Sequence, residues 1–204
     1  MLKRLVTLGV CLGILTSIFA CSSSGSSAPP VGGEHAVGGP KPLVVYTAWA
    51  LNMLGGGGGT TVTIGIYRWS SDEERNALIN ILKTEGNEQL VADMSQLPQV
   101  GYIFTQGTLA YALFYSRETV LPDGSKQVVL ATNRPISFGG AISPGTRQQY
   151  NLGVIEMRFP KNGGDGEGKI ILQGMAKIDQ ATGKIEVDNY SGQPTRLMQI
   201  KEQR

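Results

Sequence analysis

The sequence predicts an α+β fold that is mainly β: a curved antiparallel sheet or β-barrel, with a two-helix insertion after the second strand. Three observations carry this. Most of the chain beyond residue 42 alternates apolar and polar residues at period two, which marks half-buried strands. The stretch 70–97 changes to helical period. Several later strands are joined by turns too short for a crossover, so they must run antiparallel.

Residues 1–20 read as a secretory signal peptide: Met1-Leu2-Lys3-Arg4, then an apolar run over 5–19. The run is shorter than the roughly 20 residues that span a bilayer. Ile18-Phe19-Ala20-Cys21 resembles the bacterial lipobox. A cut after Ser22, with small Ala20 and Ser22 at the recognised positions, is the alternative. Cys11 leaves with the leader, so Cys21 is the only cysteine of the mature chain. An odd thiol in an oxidising compartment has no internal partner. A lipid thioether, the attachment that precedes palmitate-type acylation, removes that problem. Residues 21–42 form a flexible Ser/Gly/Pro tether. Stable anchoring takes two or more acyl chains, at about 0.8 kcal/mol per buried methylene. The expected location is the bacterial cell envelope, as an outer membrane lipoprotein facing the periplasm or the surface.

The formal charge of +2 belongs to the leader. Without Lys3 and Arg4, sixteen basic residues face sixteen acidic ones. No block of like charge exists, which argues against nucleic acid as a partner. The single histidine, His35, lies in the tether, and residues 43–204 contain neither His nor Cys. This excludes Ser-His-Asp and Cys-His nucleophile pairs and His/Cys zinc, haem or iron–sulfur sites in the domain. No catalytic residue and no cofactor is assigned, and an enzyme here has only carboxylates, Lys, Tyr, Ser or Thr to work with.

Residues 43–204 form one domain of ordinary size. "LVVYTAWALN" (43–52) and "TVTIGIYRW" (61–69) are strands, paired as a hairpin across a glycine run. Val62, Ile64 and Ile66 share one face of the second; Tyr67 and Trp69 share the other. Ser71-Asp72-Glu73-Glu74 is a capping box opening a helix with Ala77, Leu78, Ile81 and Leu82 as its apolar stripe. Gly86 is its stop, and Asn87 is expected to cap a second short helix. Strands follow at 102–105 and 108–119, the latter apolar on both faces and so expected to be covered on both. Pro122-Asp123-Gly124 is a tight turn into a strand at 126–132. A Gly/Pro-rich loop (133–149) precedes four more strands at 152–159, 169–178, 184–189 and 195–201.

"GGDGEGK" (163–169) has the spacing of a phosphate-binding loop but is followed by Ile170 and a strand, with Asp165 and Glu167 repelling phosphate. A nucleotide is therefore not expected, and a flexible hairpin loop accounts for the stretch. Calcium on Asn162, Asp165 and Glu167 is a weaker alternative, without EF-hand spacing. The acids of "SSDEER" (70–75) fit a helix N-terminus, where they meet the dipole favourably. Glu118 and Glu156 lie in strands and can face a barrel interior, although Glu156 shares a face with Arg158 as a solvated pair. The aromatic set Tyr67, Trp69, Tyr111, Tyr115 and Phe138 would line an apolar pocket if the sheet closes; ordinary core packing explains aromatics at strand spacing equally. Arg134, Phe138 and Arg147 of the long loop are candidate partner contacts.

The blocks "RWSSDEER" (68–75), "QVGYIFTQGTLAY" (99–111), "LPDGSKQVVLATNRPISF" (121–138), "GEGK" (166–169) and "IEVDNYSGQPTRL" (185–197) together resemble a group of uncharacterised exported bacterial proteins that share this order of blocks. The resemblance implies a bacterial envelope origin and assigns no activity to any residue. The expected function is a lipid-anchored, non-enzymatic binding domain contacting an envelope protein. The alternatives are a carrier of an apolar small ligand or lipid inside the barrel, and a carboxylate-based hydrolase.

Overall fold

Ten strands and two helices account for the regular structure of the described residues. In chain order they are β1 (Val44–Leu51), β2 (Gly59–Ile66), α1 (Asp72–Thr84), α2 (Asn87–Met94), β3 (Gly101–Thr105), β4 (Tyr111–Leu113), β5 (Tyr115–Val120), β6 (Lys126–Thr132), β7 (Leu152–Phe159), β8 (Gly166–Ile178), β9 (Ile185–Asn189) and β10 (Thr195–Gln203). The structure, a computed structural model, describes residues 40–51, 58–137, 150–179, 185–190 and 193–204. The leader, Cys21, nearly all of the tether, Phe138 and Arg147 lie outside the described residues.

All ladders are antiparallel, in the order β4-β3-β2-β1-β10-β8-β7-β6-β5, with β9 paired to β8. The two ends of that path are consecutive in the chain. β4 pairs with β3, and β5, one residue later, pairs with β6. The result is a nearly closed, barrel-like sheet with the helices inserted after β2, as the sequence predicts. The expected single strand at 108–119 breaks at Phe114, whose N–H donates to the Ala131 carbonyl (2.9 Å). Leu113 packs inside, whereas Phe114 and Tyr115 both turn to the outer layer. The break lets one strand serve two neighbours.

Ser116 fastens this seam. Fully buried, it donates its hydroxyl to the Arg68 carbonyl (2.8 Å) and its N–H to the Ser70 hydroxyl (3.1 Å). Its carbonyl accepts from the Ser70 N–H (2.9 Å). The segment that leads into α1 is thus tied to the seam. The capping box forms as predicted, Ser71 accepting from the Glu74 N–H and Glu74 from the Ser71 N–H. Arg68 adds a two-pronged contact to the same Glu74 carboxylate, both at 2.9 Å.

The interior is filled. Val62, Ile64, Ile66, Ile103, Leu130 and Ile155 pack there with Met157, Ile170 and Leu197. A second, smaller apolar cluster lies outside, where Leu82, Leu90 and Met94 of the helices meet Leu152, Val154 and Ala131 of the sheet. α1 stops at Gly86 (φ 89°), whose N–H caps the Ile81 carbonyl; a left-handed position suits glycine alone without strain. Gly86 also takes the N-cap of α2, a correction to the expectation for Asn87. Asn87 instead accepts from the Ala176 N–H (2.9 Å) and donates to Asn151 (2.9 Å), pinning α2 to the far half of β8. That half of β8 pairs with β9 as an arm that reaches over the helices, burying Ala176 and Ile178 against them.

β10 holds one irregularity. Its pairing slips between Leu197 and Ile200, and Gln199 takes φ 52°. Thr195 and Leu197 point inward before the slip, Ile200 and Glu202 after it. This bulge changes which residues of β10 face the barrel.

Removing the Ser116 hydroxyl leaves the carbonyl of half-buried Arg68 without that donor and a polar site inside the seam empty. Ser116→Ala is expected to lower stability by about 1–3 kcal/mol, read as a lower urea midpoint with an unchanged slope.

Candidate functional sites

Two concavities stand out. The first is at one end of the barrel. Inward-facing residues of five strands meet there: Tyr46 (β1), Glu118 (β5), Lys126 (β6), Phe159 (β7) and Glu202 (β10). Glu118 shares its face with buried Ser116, two residues before it, and so turns to the interior side as the sequence allows. Lys126 Nζ pairs closely with Glu202, stands 3.4 Å from Glu118 Oε2, and sits 4.7 Å from the centroid of the Phe159 ring. Arg204 contacts Glu202 at 2.5 Å and Glu118 at 3.4 Å. Two carboxylates are thus balanced by two cations, and three of the four groups have side chains exposed by less than 30%.

Burial pushes the Glu202 carboxyl up, but hydrogen bonds from Lys126 and Arg204 outweigh it and hold the group below the usual carboxylate range. Tyr46 is the register partner of Glu202 and fully buried. Its hydroxyl has no hydrogen-bond partner among the described residues. Burial, then the negative charges of Glu202 and Glu118, raises it far above the ordinary tyrosine value, so it stays a neutral donor. A cavity of about 580 Å³ opens beside this cluster, with Lys126, Glu202, Phe159 and Ile200 as its wall and the turn at 160–165 as its rim.

The second concavity is a groove of about 1030 Å³ on the outer face of the sheet. Val129, Val154 and Ile171 floor it, and Leu78 and Leu82 of α1 wall it. One flank is basic, with Arg75, Arg117 and the half-buried Tyr115; the other, from the arm, is acidic, with Glu186 and Asp188. Arg117 is anchored by Asp72 at 2.6 Å, while Glu186 and Asp188 flank Lys177 at 3.9 and 3.0 Å. Burial raises the Tyr115 hydroxyl; Arg75 and Arg117 oppose it.

The aromatic set does not converge. Tyr67 meets Tyr102 with tilted rings (centroids 5.6 Å apart, 53° between planes) away from the groove, while Trp69 packs against the interior cluster. Tyr111 donates its hydroxyl to the Ser137 carbonyl (2.6 Å) and carries Arg134 over its ring (4.8 Å). Only Tyr115 lines the groove. Glu156 faces outward and pairs with Lys169 (3.0 Å) and Gln127 (2.8 Å), not with Arg158, which binds Asp123. Asn162, Asp165 and Glu167 are exposed, and among the described residues no three Asp, Glu, His or Cys groups gather around a metal position. No helix of the described residues is long and apolar enough to cross a membrane.

The barrel-end cluster is absent from the sequence reading because β10 alternates wrongly in sequence. Counting by twos from Leu197 puts Lys201 inward and Glu202 outward; the bulge at Gln199 exchanges them. Tyr46, inward beside Val44 and Ala48, carries a readable signal: a lone polar tip in an apolar row.

No family model matches the chain, and neither does any curated protein or solved structure.

Glu74, held low by its hydrogen bonds from Arg68 and opposed by partial burial, links stability to pH. A folded value below the unfolded one means that the contribution is present above the unfolded carboxylate value, about 4.3, and is lost as pH falls through the folded value. Glu74→Gln is expected to flatten the acid limb of a plot of urea midpoint against pH below about pH 4.5, with Arg68 left in place.

Proposed function

We propose that this chain is an exported, lipid-anchored protein of the bacterial envelope whose domain is a non-enzymatic interaction module, held on its 21–42 tether and receiving an extended segment of a partner protein in the outer groove. The groove carries this reading. Its apolar floor lies between a basic and an acidic flank, the arrangement that fits a segment with apolar side chains at its centre and opposite charges at its ends. The outer membrane, with the domain facing the periplasm or the surface, is the location that fits the leader and Cys21.

The two rival readings draw less support. Side chains occupy the interior in which an apolar ligand or lipid would ride. A hydrolase of the two-carboxylate kind needs one acid with a raised value. Glu118 and Glu202 stand close enough, but both lean on the same ammonium, and Glu202 is held low.

Intact-mass measurement of the natively purified chain tests the anchor. An N-terminus at an acylated Cys21 is expected, and Cys21→Ser is expected to release the protein from the membrane fraction. An unmodified Cys21, or an N-terminus at Ser23, overturns the anchor. Photo-crosslinking from position 79 in the groove tests the module, with position 63 on the opposite face as its control. A single envelope polypeptide joined from position 79 only, and lost with Ile171→Asp in a chain of unchanged circular dichroism, is expected. Equal labelling from both positions overturns it.

A further inference from the structure

We infer that the groove receives its partner by strand addition: an extended segment that alternates apolar and basic residues pairs with the free edge of β9. The inference rests on the reading of the groove as the seat of a partner segment, and it adds the mode of contact and the chemistry of that segment.

Backbone geometry locates the edge. Among the described residues β9 pairs with β8 and with no other strand. In an antiparallel ladder, residues whose N–H and C=O both point to the neighbour alternate with residues whose groups both point away. Two bonds fix the phase here. The Tyr190 N–H donates to the Gln173 carbonyl (2.9 Å), continuing the register in which Asp188 faces Met175 and Glu186 faces Lys177. The Ala176 N–H turns away from β9 and donates to Asn87 Oδ1 (2.9 Å). Glu186 and Asp188 therefore direct their backbone groups at β8, whereas those of Ile185 and Val187 point out of the ladder. A row of this kind is a template for one more strand.

The groove lies along that row. Ile185, Glu186, Val187 and Asp188 all line it. Consecutive side chains of a strand alternate between its faces. A space touched by four in succession lies at the edge of the strand, not over one face.

Side chains select the occupant. Ile185 and Val187 stand opposite Ile178 and Ala176, which pack against the helices, and Ile185 itself is 46% exposed. Apolar residues of an added strand would continue this layer. Glu186 and Asp188 lie on the other face and share Lys177, at 3.9 and 3.0 Å. Two carboxylates on one ammonium leave a net negative charge, which Lys or Arg at alternate positions of the added strand would meet. A second copy of this chain fits badly. Antiparallel pairing of two β9 edges about Val187 sets Glu186 opposite Asp188 twice, and like charges directly opposite are destabilising. Charged side chains on an edge guard against uncontrolled pairing; these oppose self-pairing and leave a basic strand admissible.

The test uses the full mature chain and the peptide acetyl-Thr-Lys-Val-Lys-Val-Lys-Thr-amide, followed by calorimetry and amide hydrogen exchange. Saturable binding is expected, with the Val187 amide slowed in exchange and those of Glu186 and Asp188, already bonded to β8, little changed. Glu in place of every Lys of the peptide should weaken binding about tenfold. N-methylation of its two Val residues, whose N–H groups would face β9, should abolish binding. Val187→Pro removes an N–H that β8 does not use, a change that edge strands tolerate, and should also abolish it. Glu186→Lys together with Asp188→Lys leaves the backbone intact and should reverse the preference in favour of the Glu peptide, a readout that holds should the proline loosen the arm. The inference is overturned if the Lys peptide does not bind, if it binds no better than the Glu peptide, or if it binds without slowing Val187. It is equally overturned if Val187 is already slow in the peptide-free chain and quickens on dilution, which would make a second copy the occupant. Crosslinking from position 79 without protection at Val187 removes strand addition and keeps the groove; protection at Val187 without crosslinking from position 79 supports strand addition and counts against the wider groove reading alone.

Discussion

Three hydrogen bonds between Ser116 and the segment 68–70 hold the seam of the barrel, and the placement of everything on its outer side follows from them. A barrel gains stability by having no open edge. Here the last edge is closed by a strand too irregular to run straight past both neighbours. It pairs with β3, turns at Phe114, and then pairs with β6. Ser70 and Arg68 fill the place at Ser116 where a regular ladder would have continued. Because the same residues lead directly into α1, the contacts that close the sheet also seat the start of the helix. Arg68 carries the coupling further: its carbonyl serves the seam, and its guanidinium serves the capping box.

With the interior packed, function moves to the surfaces of the sheet, and the two concavities arise by different means. The groove is made by addition. Helices and the β8–β9 arm are laid over an outer face whose residues, Val129, Val154 and Ile171, would otherwise be exposed apolar surface. The barrel end is made by subtraction, since the inward rows of β5, β6 and β10 carry the charged Glu118, Lys126 and Glu202 there in place of apolar residues. Charges at such positions are half desolvated, so they are stable only as a closed set. Lys126 and Arg204, each touching both Glu118 and Glu202, provide that closure.

Much of this was legible in the sequence, and the reasons differ by element. The strands at 126–132 and 152–159 alternate without interruption, and their boundaries coincide with β6 and β7. The capping box at Ser71 and the stop at Gly86 are local chemistry, decided within a few residues, and the structure keeps both. What stayed hidden depends on partners far along the chain. The break at Phe114 is imposed by β3 and β6 competing for one strand, and the role of Asn87 by the approach of Ala176. The bulge at Gln199 is the sharpest case. A single extra residue inverts the alternation of β10, so periodicity read through it assigns Lys201 and Glu202 to the wrong faces.

The position of β1 has a mechanical consequence. It is hydrogen-bonded along its length to β2 on one side and to β10 on the other, and Val45 faces Gln203. The chain reaches it from residues 40–43 at its leading end. A pull on that leading chain along the strand direction loads both ladders in parallel. Their hydrogen bonds must then fail together in shear, whereas a peeling force would break them one at a time. The first strand of the barrel is thereby also a point of suspension, at which a load applied through residues 40–43 is shared between two ladders before it reaches the seam at Ser116.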